Sequence, residues 1–153
     1  MRSRNLFRLP MVTTIFFVLA MAAIDSFGIG IYFNFPYQSL ISFLIFILGV
    51  VVIGVGGSQF RKAKTTVNPL DPDKTTMLVT NGIYSLSRNP MYIGFLLWLL
   101  GCAFFFGNFI NFLLMPAFVI IVNKLYITPE EKSLEKLFKI EFVEYKNRVN
   151  RWL

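Results

Sequence analysis

Four long apolar stretches set the terms for this chain, because a segment that must sit in lipid has few ways to fold. Residues 11–31 carry one charge, Asp25, and residues 39–58 carry none. Residues 91–106 and 109–126 follow, separated by Gly107-Asn108. In a hydrocarbon layer of roughly 30 Å, about 20 residues suffice to cross as a helix, which satisfies its own backbone polar groups. With Gly counted and Tyr left out, about 59% of the 153 residues are apolar, against roughly 45–50% in soluble domains. A soluble domain of this size has too much surface to hide that excess. The expected fold is all-α and membrane-embedded, with spans near 11–31, 39–58, 91–106 and 109–126. The third is the shortest and is expected to be tilted or partly buried. Arg8-Leu9-Pro10 ahead of the first span reads as the start of a retained anchor rather than a cleaved leader, whose apolar region is shorter.

Charge then orients the spans. The chain has 15 Lys+Arg and 8 Asp+Glu, for a net +7. Arg2, Arg4 and Arg8 precede the first span, and Arg61, Lys62, Lys64, Lys74 and Arg88 lie between the second and third. Lys124, Lys132, Lys136, Lys139, Lys146, Arg148 and Arg151 stand at or after the end of the fourth. The turns 32–38 and 107–108 hold none. The positive-inside rule places both termini and the loop 59–90 on the cytoplasmic face, which is the inner membrane if the source is bacterial. The same charge attracts anionic lipid. No soluble basic region exists to bind nucleic acid. The polar segments 59–90 and 127–153 share this face, so chemistry is expected there.

Several chemistries are excluded. The chain has no His, which removes Ser-His-Asp triads, HExxH zinc sites and the usual neutral-pH proton shuttle. Cys102 is alone, so neither an internal disulfide nor a thiolate metal cluster is expected. Gly28-x-Gly30 and Gly54-x-Gly56-Gly57 fall within or at the ends of apolar spans and do not form a dinucleotide fingerprint. Asp25, inside the first span, reads either as a functional carboxylate or as an interfacial one.

Within the loop, Pro69, Asp71, Pro72 and Asp73 argue for ordered turns, and Thr80-Asn81-Gly82 is a turn signal. Asn89-Pro90 combines a favoured N-cap with a favoured first helical residue and should open the third span. An anionic group would be favoured at that helix end, beside Arg88. Tyr92 can stack on a flat ring or belong to an interfacial aromatic belt. Gly94 leaves room either for a ligand or for a neighbouring helix. After the fourth span, Thr128 as N-cap, Pro129 at N1 and Glu131 at N3 spell a capping box. That gives Glu131 a structural task and leaves Glu130 free to meet ribose hydroxyls or a cation. Leu134, Phe138, Phe142, Tyr145, Val149 and Trp152 recur at helical spacing. They predict an amphipathic helix over 129–150 that lies on the membrane or closes over the loop.

The string NGIYSLSRNPMYIG, two apolar spans, and then EEKSLEKLFKIEFVEYKNRV resembles the isoprenylcysteine carboxyl methyltransferase family. Its wider relatives include membrane phospholipid N-methyltransferases. The resemblance covers about residues 65–150 and implies a single membrane methyltransferase domain over 1–153. It implies S-adenosylmethionine as cofactor, bound at the cytoplasmic face. Thr76, Met77, Leu78, Val79, Tyr84, Asn89, Pro90, Met91, Tyr92 and Glu130 would line its pocket. Arg88 would sit beside the pocket and act in catalysis with Glu130. Asn89 stands where the family usually has His, and Tyr126 stands near the place of an Arg that serves the substrate in eukaryotic members. The implied acceptor is lipophilic or prenylated and enters from the bilayer. Methylation of a carboxylate fits a chain without His, since that acceptor is already anionic and no proton must move. Phospholipid N-methylation and a catalytically silent membrane scaffold are the alternatives. The oligomeric state is not specified by the sequence.

Overall fold

The computed structural model describes residues 8–63 and 76–153. Arg2, Arg4, Lys64 and Lys74, together with Pro69, Asp71, Pro72 and Asp73, lie outside the described residues. The described chain forms α1 (Arg8–Ser26), α2 (Gln38–Lys62), a 3-10 turn (Gly82–Ser85), α3 (Pro90–Phe106), α4 (Phe109–Val122), a π turn (Asn123–Ile127) and α5 (Thr128–Arg148). Two helical runs are long and apolar enough to cross a membrane, α2 and the stretch Phe109–Arg148. Pro10–Ser26 and α3 are shorter apolar helices.

The first apolar stretch is helical for less of its length than its composition suggests. α1 stops at Ser26, five residues before the expected end, because Gly28 (φ 65°) and Gly30 (φ 127°) take up left-handed backbone. A side chain at Gly30 would collide with Asn108. The chain then pairs with the α3–α4 turn: Phe33 N–H donates to Gly107 O at 2.7 Å and Phe109 N–H to Ile31 O at 3.0 Å. Asn108 Nδ2 also donates to Ile29 O at 2.7 Å. Both turns thus close one end of the bundle as a unit. At the other end α2 runs on to Lys62, past the expected limit at residue 58, and the loop is correspondingly shorter.

α3 is the central helix. Its Tyr92, Phe95, Leu99 and Ala103 join Phe17 and Met21 of α1 and Phe118 and Val122 of α4 in one core. Its other side meets α2 through small residues seven positions apart: Ser42, Gly49 and Gly56 on α2 against Gly94 and Gly101 on α3. In lipid the hydrophobic effect does not drive helices together, so close backbone approach is what dispersion can use. A Cβ at Gly94 would lie 2.8 Å from Gly49 O and 2.5 Å from Ile53 Cγ1. Of its two expected readings, Gly94 therefore takes the packing one. Gly94→Val is expected to lower the apparent melting temperature in detergent, through overpacking worth about 1–3 kcal/mol. Gly54→Val, where a Cβ meets nothing within 4 Å, should leave it unchanged. Equal melting of both variants would show that the seam tolerates separation.

The outward faces stay apolar: Phe16 and Leu19 on α1, Phe43, Leu44 and Val51 on α2, and Leu113 and Ile120 on α4 are all exposed. An all-helical chain with such faces is suited to lipid rather than to water.

The expected capping box is not formed. Thr128 has helical backbone (φ −63°, ψ −44°), and the helix passes from α4 through the π turn into α5 without a break. Pro129 does not start a new helix. It follows a widened turn in which Thr128 N–H reaches Asn123 O, five residues back. That spacing accommodates a ring that would ordinarily break an α-helix. α5 is not one straight amphipathic rod either. Lys139 (φ 46°, ψ −117°) bends it sharply enough for Lys146 Nζ to reach Glu135 Oε2 at 3.1 Å. Eleven residues of straight helix would set those positions about 16 Å apart.

Candidate active site

The bend carries residues 140–152 back over the loop. Leu78, Phe142 and Tyr145 are buried together, with Leu134, Phe138 and Val149 packed around them. Of its two expected placements, the amphipathic segment thus takes the one that closes on the loop. Polar contacts fix the closure. Tyr145 Oη donates to Tyr84 O at 2.6 Å. Arg88 N–H donates to Asn150 O at 3.0 Å, and the Arg88 guanidinium donates to Lys146 O and Val149 O. Arg151 O accepts from both Ser87 Oγ and Asn89 Nδ2.

Asn89 precedes the first residue of α3, as expected, but its side chain does not cap the helix. Its amide is spent as a donor to Arg151 O, and its own N–H goes to Ser87 Oγ at 3.0 Å. Glu131 is structural, though by another route than capping. Its carboxylate takes Arg88 Nη2 at 2.8 Å and a two-pronged contact from Arg151. The side chains of Glu131 and Arg88 are each only 10% exposed. Burial opposes the ionised form of Glu131, yet hydrogen bonds from Arg151 and Arg88 outweigh it and hold the carboxyl below its ordinary range.

Glu130 faces a different environment. Tyr92 Oη donates to its Oε1 at 2.9 Å, and among the described residues no cation pairs with it. Burial pushes its carboxyl up to about 7, with Tyr92 pulling down and Glu131 adding to the rise. Tyr84 lies within electrostatic reach of Glu130, and burial raises its phenol well above the ordinary value. Tyr84 and Tyr126 lie within reach of Tyr92. All three tyrosines are buried. Two adjacent carboxylates are therefore driven apart by their surroundings, one neutralised by two arginines and one left for a partner.

The expected site residues fall into two groups. Tyr84, Tyr92, Tyr126 and Glu130 come together. Arg88 and Asn89 are instead engaged with Glu131 and residues 146–151. Pro90 lies with Tyr84 near Gly56 of α2, and the Nε of Arg88 is buried with no hydrogen-bond partner among the described residues. Met91 is half-buried and packs toward Gly56 of α2. Leu78 serves the closure over the loop, Thr76 and Met77 are exposed, and Val79 is half-buried.

Sequence reasoning missed Arg151, Ser87 and Tyr145 as tethers and Thr13 as a partner of Tyr126. Arg151 and Tyr145 were visible only as a basic residue and as one position in an apolar period. Nothing in the spacing distinguished Thr13 from Thr14. Asp25 is half-buried near the far end of α1, where its backbone oxygen accepts from Tyr32 Oη at 3.3 Å.

Comparison with known proteins gives the site its context. The sequence profile of the phospholipid methyltransferase family matches residues 37–141, from the start of α2 into α5. The protein-S-isoprenylcysteine O-methyltransferase of Schizosaccharomyces pombe is 32% identical over 127 residues, 81% of this chain and 52% of the yeast protein. Its namesake in Saccharomyces cerevisiae is 38% identical over 76 residues, 48% of this chain and 30% of that protein. An uncharacterized protein of Haemophilus influenzae is 38% identical over 63 residues, 41% of this chain and all of that protein. The chain spans about half or less of the length of the two yeast proteins. No solved structure matches it.

Proposed function

This chain belongs to the phospholipid methyltransferase family, and from that premise we propose that it is an integral-membrane methyltransferase using S-adenosylmethionine. The reaction is O-methylation of a lipophilic carboxylate of the isoprenylcysteine type. Names of relatives support the acceptor, and the carrying observation is Glu130, a carboxylate that pairs with no cation among the described residues and is set among three buried tyrosines. Such a group is costly to ionise alone and is relieved by a cationic ligand. Tyrosine faces also attract cations.

The residues fit the cofactor chemically, because its sulfonium and ammonium are cationic and its carboxylate suits the unpartnered Nε of Arg88. Glu130, Tyr84 and Tyr92 hold the cationic part, and Asn89, Pro90, Met91 and the stretch 76–79 complete the pocket. When bound, the cofactor supplies an activated methyl group. Tyr126 meets the acceptor. Glu131 ties Arg88 and Arg151 to one point, which keeps residues 87–89 against residues 149–151 and shuts water out. With an acceptor that is already anionic, alignment of the two reactants supplies the catalysis. In this reading the chain crosses the membrane four times, with both termini and the site at the cytoplasmic face, and the exposed apolar surfaces face lipid.

A second reading, N-methylation of a phospholipid head group, draws on the same carboxyl: near 7, Glu130 can take the proton that an ammonium must lose. One assay separates the two. With methyl-tritiated cofactor, a prenylated cysteine and phosphatidylethanolamine offered together, base-labile label on the prenylated cysteine is the expected outcome. Label in the lipid head group alone would replace the first reading by the second.

A further inference from the structure

The polar residues that α1 brings to the core are two adjacent threonines, and they behave differently. Thr14 returns its hydroxyl to Pro10 O at 2.8 Å, the ordinary use of a helical threonine. Thr13 sends its Oγ across to Tyr126 Oη at 2.6 Å. Beside it α1 presents Val12 and Phe16 outward, 56% and 66% exposed, so the pair lies on the margin between the lipid-facing surface and the tyrosines around Glu130. Tyr126 stands within the π turn. Phe118 and Val122 point into the core, and a regular α-helix would continue that face through residues 125–126 and 129. The wider turn instead buries Tyr126 and Ile127 together and delivers Glu130 in place of Pro129.

We propose that Thr13 is a positioning residue for the methyl acceptor: its hydroxyl fixes Tyr126 at the margin where an acceptor leaving the bilayer first meets the site. With Thr13 donating, the phenolic hydrogen of Tyr126 is left for an oxygen of the acceptor. Thr13 thereby governs acceptor affinity and leaves cofactor affinity alone. The inference rests on the methyltransferase reading above, and its test keeps the two apart.

The test compares the wild type with Thr13→Val, which keeps the shape and removes the hydroxyl, and Thr13→Ser, which keeps the hydroxyl. Methyl transfer to a prenylated cysteine gives KM and kcat, and titration with S-adenosylhomocysteine gives cofactor-site affinity. Thr13→Val is expected to raise the acceptor KM about five- to tenfold, the usual worth of one hydrogen bond. Its kcat and cofactor-site affinity should stay within about twofold, and Thr13→Ser should match the wild type. Tyr126→Phe removes the same bond from the other side together with the hydroxyl that meets the acceptor, and should raise KM at least as much, with no further rise in the double variant. It carries the test if Thr13→Val does not fold. An unchanged KM in both variants overturns the proposal, as does a loss of cofactor-site affinity equal to the rise in KM. A wild type that neither binds the cofactor nor methylates overturns the methyltransferase reading, and this one with it.

Discussion

Glu131→Ala is expected to destabilise the chain by about 3–5 kcal/mol, the range for removing one partner of a buried ion pair. The size follows from what is left behind. The side chain of Arg88 is as buried as that of Glu131, so its charge would remain in place with only carbonyl partners. Arg151 would lose the anchor that sets its backbone oxygen against Ser87 and Asn89. A lost helix cap would cost only about 0.5–2 kcal/mol, so the magnitude distinguishes the observed network from the capping box. For a chain of this length the loss corresponds to roughly 6–20 °C of apparent melting temperature, measured by thermal unfolding in detergent. Arg88→Ala should cost a similar amount, and the double variant less than the sum of the two. A fall of only a degree or two for Glu131→Ala would mean that the arginines are held by their carbonyl contacts alone. The pH dependence has a definite sign. The Glu131 carboxyl is lowered in the fold, so its contribution is present above the ordinary carboxylate value and is lost as pH falls through the depressed one.

Glu130→Gln is expected to weaken S-adenosylmethionine binding by about 10- to 100-fold at about pH 8, the effect of losing a charged hydrogen-bonding partner. The wild type should show a pH dependence that the variant lacks. Its Glu130 carboxyl lies near 7, so affinity for a cationic ligand rises as pH is raised through 7 and levels off above it. Below that point it falls by up to about tenfold per pH unit. The contribution of Glu130 to ligand-free stability runs the other way. The folded state keeps this proton more tightly than the unfolded chain does, so stability declines as pH rises from the ordinary carboxylate value towards 7. Binding and stability moving in opposite directions over that window is a signature that a merely structural carboxylate would not give. Affinity independent of pH in the wild type would remove Glu130 from the cofactor site.

Much of this architecture is written locally, and what escaped is long-range. Apolar runs place α2, α3 and α4 to within a few residues, because span length and Pro90 at the head of α3 are local facts. The early end of α1 depends on Gly30 lying against Asn108, some eighty positions away, which no window along the chain contains. The pairing of Glu130 and Glu131 with different tasks was legible, since two adjacent carboxylates on a helix cannot face one way. The agent of the Glu131 task was not, because Thr128-Pro129-Glu130-Glu131 is as good a start for a helix as it is a continuation of one past a π turn. The bend at Lys139 left no trace either, since lysine is an ordinary helical residue, and the bend is what turns an amphipathic helix into a clamp over Tyr84 and Arg88.

If Tyr84, Tyr92 and Glu130 form a site for a sulfonium cofactor, as proposed, a calorimetric titration of the purified chain with S-adenosylmethionine will register it. Saturable binding at one site per chain, strengthening from about pH 6 to about pH 8, is the predicted result. No saturable binding at millimolar ligand would contradict it.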